Sequence, residues 1–558
     1  MLASSQTLPV HRLEIGVRPG LRDPRGEHVE RQVRDFLHID VERVRTRDVY
    51  HLEADLRADE VERVVEELTD PVLSRAAVGR LENERCDVVI SVAYKPGVAD
   101  PVGRSAVVAV RDTLGRELPD AAVYTSILYL LEGVSPVEGE RIAAELLANP
   151  VIQTARVQSY ETWESAPPDL AVPRIGGGAT PAVRAVDLSG GDEDLLRLSR
   201  EGLLALSLEE LHAIRDHFRA AAATERRRRA GLGADPTDVE LECLAQTWSE
   251  HCKHKIFNAT IEYREGDGPV EVIDSLFATY IRGATDAVDA RVRAAGDDSW
   301  LVSVFHDNAG VVTFDGDVHL VYKVETHNSP SALDPYGGAI TGIVGVNRDP
   351  FGTGRGADLL VNVWGYCFAS PNREGELPRG LLHPRRVRDG VHHGVIDGGN
   401  QSGIPYGRGW EIFDHRYLGK PLVFCGTVGA LPVEIAGTPG EEKAARRRAV
   451  VVMGGGRIGA GGIHGATLSA AALDESSPAQ AVQIGDPITQ KMMFDFLLEA
   501  RDRGLYSAIT DNGAGGLSSS VGEMAETPGG ARLDLARATL KYAGPAPWEN
   551  VLSEAQER

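Results

Sequence analysis

The residues best suited to chemistry lie in one short stretch, residues 321–330. An apolar, strand-like run leads there to a cation, a carboxylate, an imidazole, an amide and two hydroxyls, and Pro330 then ends regular structure. The side chains concerned are Lys323, Glu325, Thr326, His327, Asn328 and Ser329. Such a set can move protons and bind a charged ligand. The other interpretation is an exposed strand end whose Lys323–Glu325 pair is solvated.

A second candidate stretch, residues 248–259, contains a Ser-Glu-His-Cys motif that includes His251 and Cys252. A further histidine, His254, lies three residues beyond His251, so the two share one face if the helix continues. A metal site built from these histidines with Cys252 and Cys243 is an alternative, but its spacing matches no common zinc pattern.

Two glycine-rich stretches follow, at residues 337–350 and 398–406. In the first, the glycines predict a loop whose backbone approaches an anion, and Arg348 and Asp349 add a phosphate fork and a hard ligand for magnesium. This stretch fits neither a P-loop nor a dinucleotide-binding fingerprint, because no Gly-Lys-Ser/Thr ends it and no strand–GxGxxG–helix unit frames it. The second stretch predicts a polar turn, which is either a wall of the site or a plain turn.

Regular elements must hold these side chains in place. Two strand-like runs, residues 302–305 and 311–314, lead into the first stretch. Residues 235–240 are a good helix start ahead of the Ser-Glu-His-Cys motif. A buried-type strand at residues 449–453 is expected to open a new domain, and an amphipathic helix is predicted after Pro487.

The amino-terminal part of the chain contains an internal repeat. Residues 18–26 recur as residues 95–103, with a basic residue, Pro-Gly, an apolar residue and Asp-Pro-x-Gly at matching positions. An alternating apolar run precedes each copy, and a helix, a strand and a second helix follow. We predict two β-α-β-α units that form a continuous sheet with helices on one face. Neither copy carries a catalytic cluster, which favours a structural or docking module.

The composition limits the possible functions. The 558 residues are too many for one core, and 42% hydrophobic with 25% charged residues is typical of ordered globular domains. The net charge of −23 argues against bulk nucleic-acid binding, and we expect the arginine run at residues 226–229 to be a solvated face. No apolar run is long enough for a membrane helix and no signal-peptide pattern is present, so we expect a cytoplasmic protein. The five scattered cysteines predict reduced thiols.

Taken together, these motifs resemble phosphoribosylformylglycinamidine synthase. The repeat is similar to the family's small accessory subunit, and residues 244–259 are similar to its synthetase. The remaining matches are the sequence around His327, the Arg348-Asp349 pair, the loop at residues 398–406, the stretch around Gln483, the loop at residues 509–517 and the Glu554-Ala555-Gln556 end. Two positions depart from the family: Ser329 stands where it has a second histidine, and Ala555 where it has a serine.

The resemblance implies a multidomain α+β and α/β fold. It would comprise two small-subunit-like β-α-β-α repeats, a helical linker domain, and N- and C-terminal α/β domains like those of aminoimidazole ribonucleotide synthetase. The expected boundaries are 1–82 and 83–163 for the repeats, 164–191 for a Pro/Gly/Ala-rich linker, 192–260 for the helical domain, and 261–440 and 441–558 for the two synthetase-like domains.

The resemblance also implies a reaction, the ATP-dependent amidation of formylglycinamide ribonucleotide (FGAR). The amide oxygen is phosphorylated to an iminophosphate, and ammonia then displaces phosphate; an amide oxygen is a poor leaving group without that step. By their positions in the family's motifs, His251 and His327 would be catalytic, and His254 and Lys323 would contact ATP. Glu325, Asp349 and Asp511 would bind Mg²⁺. The substrate contacts would be Thr326, His327, Asn328, Ser329, Arg348, Gln483, Glu554, Ala555 and Gln556.

The resemblance further implies partners. No glutaminase motif follows, so a separate glutaminase subunit would supply ammonia, docked through the amino-terminal repeats. Family synthetases have two related halves and these motifs cover the first, so we expect a second-half chain and little activity without it. Two alternatives stay open: another ATP-using enzyme of the aminoimidazole ribonucleotide synthetase superfamily, and a non-catalytic scaffold, which Ser329 and Ala555 would allow.

Overall fold

A computed structural model of the chain divides into two compact units, Met1–Gly176 and Gly177–Arg558. The residues that it describes are 8–82, 85–96, 98, 100–119, 121–149, 152–173, 182–378, 381–459, 461–465, 485–541 and 545–558. The first unit contains the repeats, and the second contains the candidate chemical residues.

The first unit is built on one six-stranded antiparallel sheet. Its strands are β1 (Val10–Val17), β2 (Arg43–Glu53), β3 (Ser74–Val78), β4 (Val88–Tyr94), β5 (Ala122–Glu132) and β6 (Gln153–Ser159). Its helices are α1 (Pro24–Gln32), α2 (Ala58–Leu68), α3 (Pro101–Leu114), α4 (Pro136–Ile142) and α5 (Tyr160–Ser165). The strand order β3-β1-β2-β5-β4-β6 places β2 of one copy beside β5 of the other. Each copy is therefore β-α-β-α-β, with one more strand than predicted.

The repeated Asp-Pro-x-Gly sequence is a helix start. Asp23 caps α1 by accepting a hydrogen bond from Gly26 N at 2.9 Å, and it also accepts one from Thr46 N on β2 at 2.6 Å. A Cβ on Gly26 would lie 2.2 Å from Val44 O, so only glycine lets the helix lie this close to the strand. The second copy repeats these contacts with Asp100, Gly103 and Thr125. The motif therefore holds each helix on the sheet.

Helices α1–α4 cover one face of this sheet, which confirms that part of the prediction. The core below α1 and α4 includes Val29, Val33, Val44, Ile90, Leu131 and Ile142. The core below α2 and α3 includes Leu13, Leu52, Val61, Val64, Ala106 and Val110. The opposite face is partly covered by Trp163 of α5, which packs with Val49, Val89 and Leu128.

The second unit begins with a group of helices around their own core. They are α6 (Asp192–Glu201), α7 (Leu208–Arg219), α8 (Ala221–Arg229), α9 (Asp238–Thr247) and α10 (Glu250–Lys253). The core includes Leu188, Leu195, Leu204, Leu211, Ile214, Phe218 and Leu241. The predicted solvated face on α8 holds only in part, because Arg227 is buried, pairs with Glu240 and stacks on the Phe218 ring. A buried guanidinium between these partners fixes α8 against α7 and α9.

A mixed six-stranded sheet, in the order β13-β12-β14-β11-β10-β9, lies at the centre of the second unit. Its strands are β9 (Leu301–Ser303), β10 (Gly310–Thr313), β11 (Val318–Thr326), β12 (Asp358–Phe368), β13 (Tyr406–Phe413) and β14 (Leu422–Pro432). Helices α12 (Asn328–Leu333), α13 (Pro335–Phe351) and α14 (Pro384–Ser402) follow the strands in sequence. Helices α13 and α14 pack on the sheet through a core with Ile343, Val346, Tyr366, Val391 and Val423.

The remaining elements of the second unit are shorter or lie later in the chain. They are the hairpin β7 (Thr260–Tyr263) and β8 (Glu271–Asp274), helix α11 (Gly283–Ala294), the hairpin β15 (Glu434–Ile435) and β16 (Thr438–Pro439), and helices α15 (Pro487–Asp502), α16 (Gly516–Glu526) and α17 (Pro547–Leu552). Helix α15 confirms the helix expected after Pro487. Within the described residues, every helix is too short or too polar to cross a membrane.

The first glycine-rich stretch is not the predicted loop, because it forms most of helix α13. Its glycines allow close contacts instead of a turn. A Cβ on Gly338 would lie 2.4 Å from Pro330 C, and one on Gly342 would lie 3.0 Å from Cys425 Sγ. Glycine is unfavourable inside a helix, but tertiary packing at this depth outweighs that preference. The prediction was wrong because composition cannot distinguish glycines that bend a chain from glycines that admit a neighbour.

Two more predictions fail for related reasons. In the second glycine-rich stretch, Gly399 is still inside α14, where a Cβ would lie 2.3 Å from Tyr406 Oη; the turn comes at Gly403, which has φ 69°. The strand expected at residues 449–453 is absent from this described segment, and Val450 and Val452 are 85% and 84% exposed. An apolar run becomes a strand only where a partner strand satisfies its backbone.

Candidate functional site

The candidate site forms where β11 lies against the end of α13. Side chains alternate along a strand, so Lys323 and Glu325 both point towards the helix. Lys323 Nζ lies 2.6 Å from Asp349 Oδ2 and 3.6 Å from Glu325 Oε1, and it donates to Asn308 O at 2.9 Å. The two motifs that the sequence separates are therefore in direct contact.

Arg348 joins this pair to the carboxyl-terminal part of the unit. Its guanidinium donates to Asp511 Oδ2 and to Gln556 Oε1, and it reaches Ala555 O at 3.4 Å. The loop that carries Asp511 passes so close that a Cβ on Gly513 would lie 2.4 Å from Arg348 Nη2. Arg348 is buried, so these contacts fix both the loop and the end of the chain around one cation.

Asp349 is buried beside two other acidic side chains and two cations. Burial, together with the negative charges of Glu325 and Asp511, raises the pKa of Asp349 well above its ordinary value, although Lys323 and Arg348 oppose the shift. The Glu325 and Asp511 side chains are each within hydrogen-bonding reach of the Asp349 carboxyl. Three carboxyl groups therefore lie close together, with Lys323 and Arg348 as the cations that offset their repulsion.

The pKa values of the groups around Asp349 shift so that their charged forms are favoured. Burial would raise the pKa of Glu325, but Lys323 and the hydrogen bond from Asp349 lower it. Burial would likewise raise the pKa of Asp511, but Arg348 lowers it. Burial would lower the pKa of Lys323, but Asp349 and Glu325 raise it. The surroundings therefore favour the charged forms of Glu325, Asp511 and Lys323 and disfavour the charged form of Asp349.

His327 lies just beyond the strand and is half-buried. Its backbone N–H donates to Val423 O at 2.8 Å, which fixes the residue at the end of β14. Burial lowers the pKa of His327, so the ring is neutral at pH 7, and its buried Nδ1 has no hydrogen-bond partner within the described structure. A neutral imidazole with an unused nitrogen can accept a proton.

His251 is presented by a one-turn helix whose other motif residues build the turn. Ser249 caps α10 by accepting from Cys252 N at 3.2 Å, and the Glu250 carboxylate accepts from Ile256 N at 3.1 Å. Surrounding protein atoms desolvate the His251 ring and lower its pKa, although the residue is exposed at the surface. The charges of Glu325 and Lys323 also act on this ring, with smaller effects. The structure therefore brings His251 to the charged cluster.

His254 does not share a helix face with His251, because α10 ends at Lys253. His254 is the residue after the helix and has a left-handed backbone, with φ 52°. Its carbonyl accepts from Asn258 N at 3.0 Å, which closes the following turn. His254 is exposed, and its ring is near enough to His251 to lower the pKa of that residue slightly.

The predicted substrate residues at the end of β11 take different positions. Asn328 Oδ1 accepts from Val423 N at 2.9 Å, so this side chain extends the pairing of β11 with β14. Ser329 is buried on α12. Thr326 is exposed and alternates to the face away from Lys323 and Glu325. Gln483 lies outside the described residues.

Comparisons with known families and proteins agree with the order of these elements. Residues 11–82 match the phosphoribosylformylglycinamidine (FGAM) synthase model, and residues 195–255 match the formylglycinamide ribonucleotide amidotransferase linker domain. Residues 306–431 and 448–558 match the N- and C-terminal domains of AIR synthase related proteins. A curated relative, phosphoribosylformylglycinamidine synthase subunit PurL of Thermoplasma acidophilum, is 35% identical over 379 residues, which are 67% of this chain and 44% of that protein.

The chain belongs to the phosphoribosylformylglycinamidine synthase family. A second relative, the PurL subunit of Thermotoga maritima, is 32% identical over 59% of this chain and 45% of its own length. The solved structure of T. maritima PurL complexed with FGAR is 29% identical and covers 60% of this chain and 46% of that chain, with a TM-score of 0.44. The chain thus spans less than half of the length of these synthase relatives.

The two departures from the synthase motifs lie in different surroundings. Ala555 is buried, and its contacts are made by the backbone: its N–H donates to Asn512 O at 3.2 Å and its carbonyl faces Arg348. Those contacts do not need a serine side chain. Glu554 Oε1 accepts from Gly515 N at 3.4 Å, so Glu554 and Ala555 are both held at the loop that carries Asp511. Ser329, by contrast, replaces a large imidazole with a small hydroxyl.

A buried polar network behind the charged cluster was not predicted from the sequence. Asn362 on β12 donates to Asn347 Oδ1 at 2.8 Å and to Thr427 Oγ1 at 2.7 Å. Asn347 Nδ2 lies 3.4 Å from Gln490 Oε1, and Gln490 Nε2 donates to Gln556 O at 2.9 Å. The network therefore connects the sheet to the residue that holds Arg348. Amides inside apolar strand and helix patterns were the signal that could have revealed it.

A metal site is not preformed in the part of the chain that the structure describes. No group of three or more His, Cys, Asp or Glu side chains there is arranged to hold an ion together. Lys323 and Arg348 instead contact the carboxylates of Asp349 and Asp511. The donor types nevertheless suit a hard cation, because Glu325, Asp349 and Asp511 all supply carboxyl oxygens to this cluster.

Proposed function

We propose that this chain supplies the ATP- and substrate-handling half of a phosphoribosylformylglycinamidine synthase. The reaction would be the ATP-dependent amidation of FGAR to formylglycinamidine ribonucleotide through an iminophosphate. The observation that carries the proposal is the cluster of Lys323, Glu325, Arg348, Asp349 and Asp511, with His251 beside it. Positioning and charge neutralisation are the main requirements of phosphoryl transfer, and this cluster offers both.

ATP would be held at the side of the cluster where Lys323 and His254 lie. Mg²⁺ would be held by Glu325, Asp349 and Asp511, and when bound it would neutralise the triphosphate. Burial and the neighbouring carboxylates raise the pKa of Asp349, and a bound cation would relieve that repulsion, which supports this assignment. Lys323, freed from Asp349, could then pair with phosphate oxygens.

FGAR would be held on the Arg348 side. The proposed contacts are Thr326, His327, Asn328, Ser329, Arg348, Gln483, Glu554, Ala555 and Gln556. His327 is well suited to accept a proton from the attacking nitrogen, because burial favours its neutral ring and no hydrogen bond occupies its Nδ1. His251 would act on the same centre from α10, where its neutral ring can take or return a proton. Thr326 is the weakest member of this set because it faces away from the cluster.

A second synthetase half would dock on the open face of the central sheet. This face displays Tyr322, Val324, Trp410 and Ile412, each at least 43% exposed, and the Trp410 ring lies 5.8 Å from that of Phe424. An exposed apolar face of this kind marks an interaction surface. A glutaminase subunit would supply ammonia, with the amino-terminal repeats as its docking module.

The test is a binding and turnover experiment on the full chain. We expect calorimetry to show ATP binding that depends on Mg²⁺, and Lys323→Ala to weaken it at least tenfold through loss of a charge-assisted contact. Lys491→Ala is the matched control, since Lys491 forms only an exposed pair with Asp495 on α15. With ATP, FGAR and ammonium, turnover should be negligible for the chain alone and should appear when a second-half chain is added. Robust turnover by the isolated chain would refute the division into halves.

A non-catalytic scaffold is the second candidate, and the serine at position 329 favours it. A scaffold would bind neither ATP nor FGAR in a metal-dependent way. Ser329→His restores the family's side chain at this position. If the wild type binds neither ligand and Ser329→His binds FGAR, the scaffold is the correct assignment for this chain.

A further inference from the structure

Lys443 joins three segments of the second unit that are distant from one another in sequence. Its ammonium group pairs with Asp307 Oδ1, donates to Gly352 O at 3.0 Å and donates to Ile509 O at 3.2 Å. A lysine has three N–H donors and no acceptor, so these three contacts use its whole hydrogen-bonding capacity. The side chains of Lys443 and Asp307 are 25% and 10% exposed, so this ion pair lies below the surface.

The Asp307 segment also holds Lys323 of the charged cluster. Asn308 follows Asp307 in the chain, and its carbonyl accepts from Lys323 Nζ at 2.9 Å. The second carboxylate oxygen of Asp307 accepts from Gly354 N at 2.7 Å, so the same side chain binds the turn after α13. Lys443 therefore acts on the position of Lys323 through two adjacent residues.

The other two segments carry carboxyl groups of the cluster. Gly352 caps α13 three residues beyond Asp349, and Ile509 lies two residues before Asp511. Both groups that Lys443 contacts here are main-chain carbonyls. The lysine therefore fixes the backbone from which these two carboxyl groups extend.

Lys443 lies in the connection between the N- and C-terminal synthetase-like domains. Its backbone is anchored to the C-terminal domain, because the next residue, Ala444, donates to Ser507 O at 3.1 Å. Its side chain reaches the N-terminal domain, to which Asp307 and Gly352 belong. The lysine thus joins the domain that carries Lys323 and most of the cluster to the domain that carries one of its carboxyl groups.

Other contacts join the same two domains away from the cluster. Tyr506 Oη donates to Arg355 O at 2.8 Å, and Arg501 Nη1 donates to Gly356 O at 2.7 Å. Both acceptors lie in the turn after α13, and neither is next to a residue of the charged cluster in sequence. Contact between the two domains therefore does not depend on Lys443 alone, so its effect on the geometry of the site can be measured separately from stability.

We propose that Lys443 is a positioning residue, which sets the spacing of Lys323, Asp349 and Asp511 for the binding of a metal–nucleotide complex. This inference rests on the proposed binding of ATP and Mg²⁺ at the cluster. A metal ion needs its ligands at fixed distances, and the groups that hold the ligands from behind control those distances. Lys443 acts only through the three segments that it holds and contacts neither ATP nor the metal ion.

Titration of ATP into the full chain by calorimetry, with and without Mg²⁺, tests the proposal. Lys443→Met alone would leave the Asp307 carboxylate buried without its cation, so the main variant combines Lys443→Met with Asp307→Asn. We expect this double variant to bind ATP with Mg²⁺ about 10- to 100-fold more weakly than the wild type does. Lys491→Met, which removes a lysine from an exposed pair with Asp495, is the matched control and should bind as the wild type does.

Tyr506→Phe distinguishes positioning from general stability. It removes one hydrogen bond between the same two domains, so urea denaturation should show a less stable protein whose affinity for ATP and Mg²⁺ is unchanged. In the double variant, by contrast, Mg²⁺ should increase the affinity for ATP by a smaller factor than in the wild type, because the metal ligands are displaced. Hydrogen–deuterium exchange of this variant should be faster at residues 307–308, 352–354 and 509–511 but unchanged in α14.

The outcomes that contradict the proposal differ from one that contradicts the proposed function. If the double variant is folded by circular dichroism and binds ATP with Mg²⁺ as the wild type does, Lys443 supports the fold and does not position the site. Equal weakening in Tyr506→Phe would show that any contact between the two domains has the same effect. If the wild type itself shows no Mg²⁺-dependent ATP binding, the proposed function is wrong and the positioning role is wrong with it.

Discussion

Asp23 in the first unit and Asp349 in the second are both buried carboxyl groups of recognisable motifs, but their surroundings differ. Asp23 accepts hydrogen bonds from backbone and hydroxyl donors, and these donors tie α1 to β2. Burial raises the pKa of Asp349, and the nearby carboxylates of Glu325 and Asp511 raise it further. A carboxylate whose hydrogen bonds are satisfied by nearby donors stabilises the fold. Like charges that the fold holds close together indicate a ligand-binding site instead.

Glycine and aspartate have different roles in the motifs of the two units, although their sequence patterns look alike. In the first unit, glycine and aspartate of Asp-Pro-x-Gly are needed because a helix lies on a strand. In the second unit, the glycines of α13 allow the helix to lie close to β11. Lys323 on the strand and Asp349 on the helix are therefore held in contact. The same residue types thus support packing in one unit and a ligand site in the other.

The largest expected effect comes from Arg348→Met, which attacks the charged cluster. Asp511 loses its partner, so we expect the free energy of unfolding of the second unit to fall by about 3–5 kcal/mol. Urea denaturation measures it. Arg503→Met is the control, since Arg503 forms only an exposed pair with Glu499, and it should change stability by less than about 0.5 kcal/mol. A change below about 1 kcal/mol in Arg348→Met would mean that the cluster is not held by this cation.

Gly26→Ala tests the first unit and should have the next largest effect. The new Cβ would lie 2.2 Å from a backbone carbonyl, so α1 must move and we expect a loss of about 3 kcal/mol. ATP binding per folded molecule should not change. The control is Gly522→Ala on α16, where a Cβ meets nothing within 4 Å and helix propensity predicts a gain of up to about 1 kcal/mol. Loss of ATP binding in folded Gly26→Ala would contradict a purely structural role for the motif.

Gln490→Leu breaks the buried network behind the cluster. Without the Gln490 amide, Val344 O and Gln556 O lose their donor, and we expect a loss of about 2 kcal/mol in stability. FGAR binding should weaken as well, because Gln556 holds Arg348. The exposed neighbour Lys491→Leu is the control for the helix itself. If stability falls and FGAR affinity is unchanged, the network supports the fold but does not position the site.

Asp349→Asn should have the smallest effect and the opposite sign. Because the folded-state pKa is raised, the carboxyl costs stability as pH rises from its ordinary value through the folded value. We therefore expect the variant to be about 1 kcal/mol more stable at pH 7 and to lose less stability as pH rises over this window. Mg²⁺-dependent ATP binding should be lost. Asp495→Asn on α15 is the control, and a destabilised Asp349→Asn would show that this carboxylate is structural, as Asp23 is.

Much of the fold follows from local pattern. The duplicated amino-terminal unit, the strands β9 and β10, the helix after Pro487 and the set of charged candidates could be predicted, because period, capping residues and charge are local properties. The exposed run at residues 449–453 and the helices at 337–350 and 398–402 could not. Whether glycine bends a chain or admits a neighbour depends on atoms that are distant in sequence.

The sequence by itself determined which residues carry charge, which can transfer protons and where the repeated helix caps lie. Only the tertiary structure decided that Lys323, Asp349, Asp511 and Gln556 meet around Arg348 and that His251 approaches them. The reason is physical: a residue's chemistry is intrinsic, but its pKa, its burial and its partners depend on elements that only folding brings together.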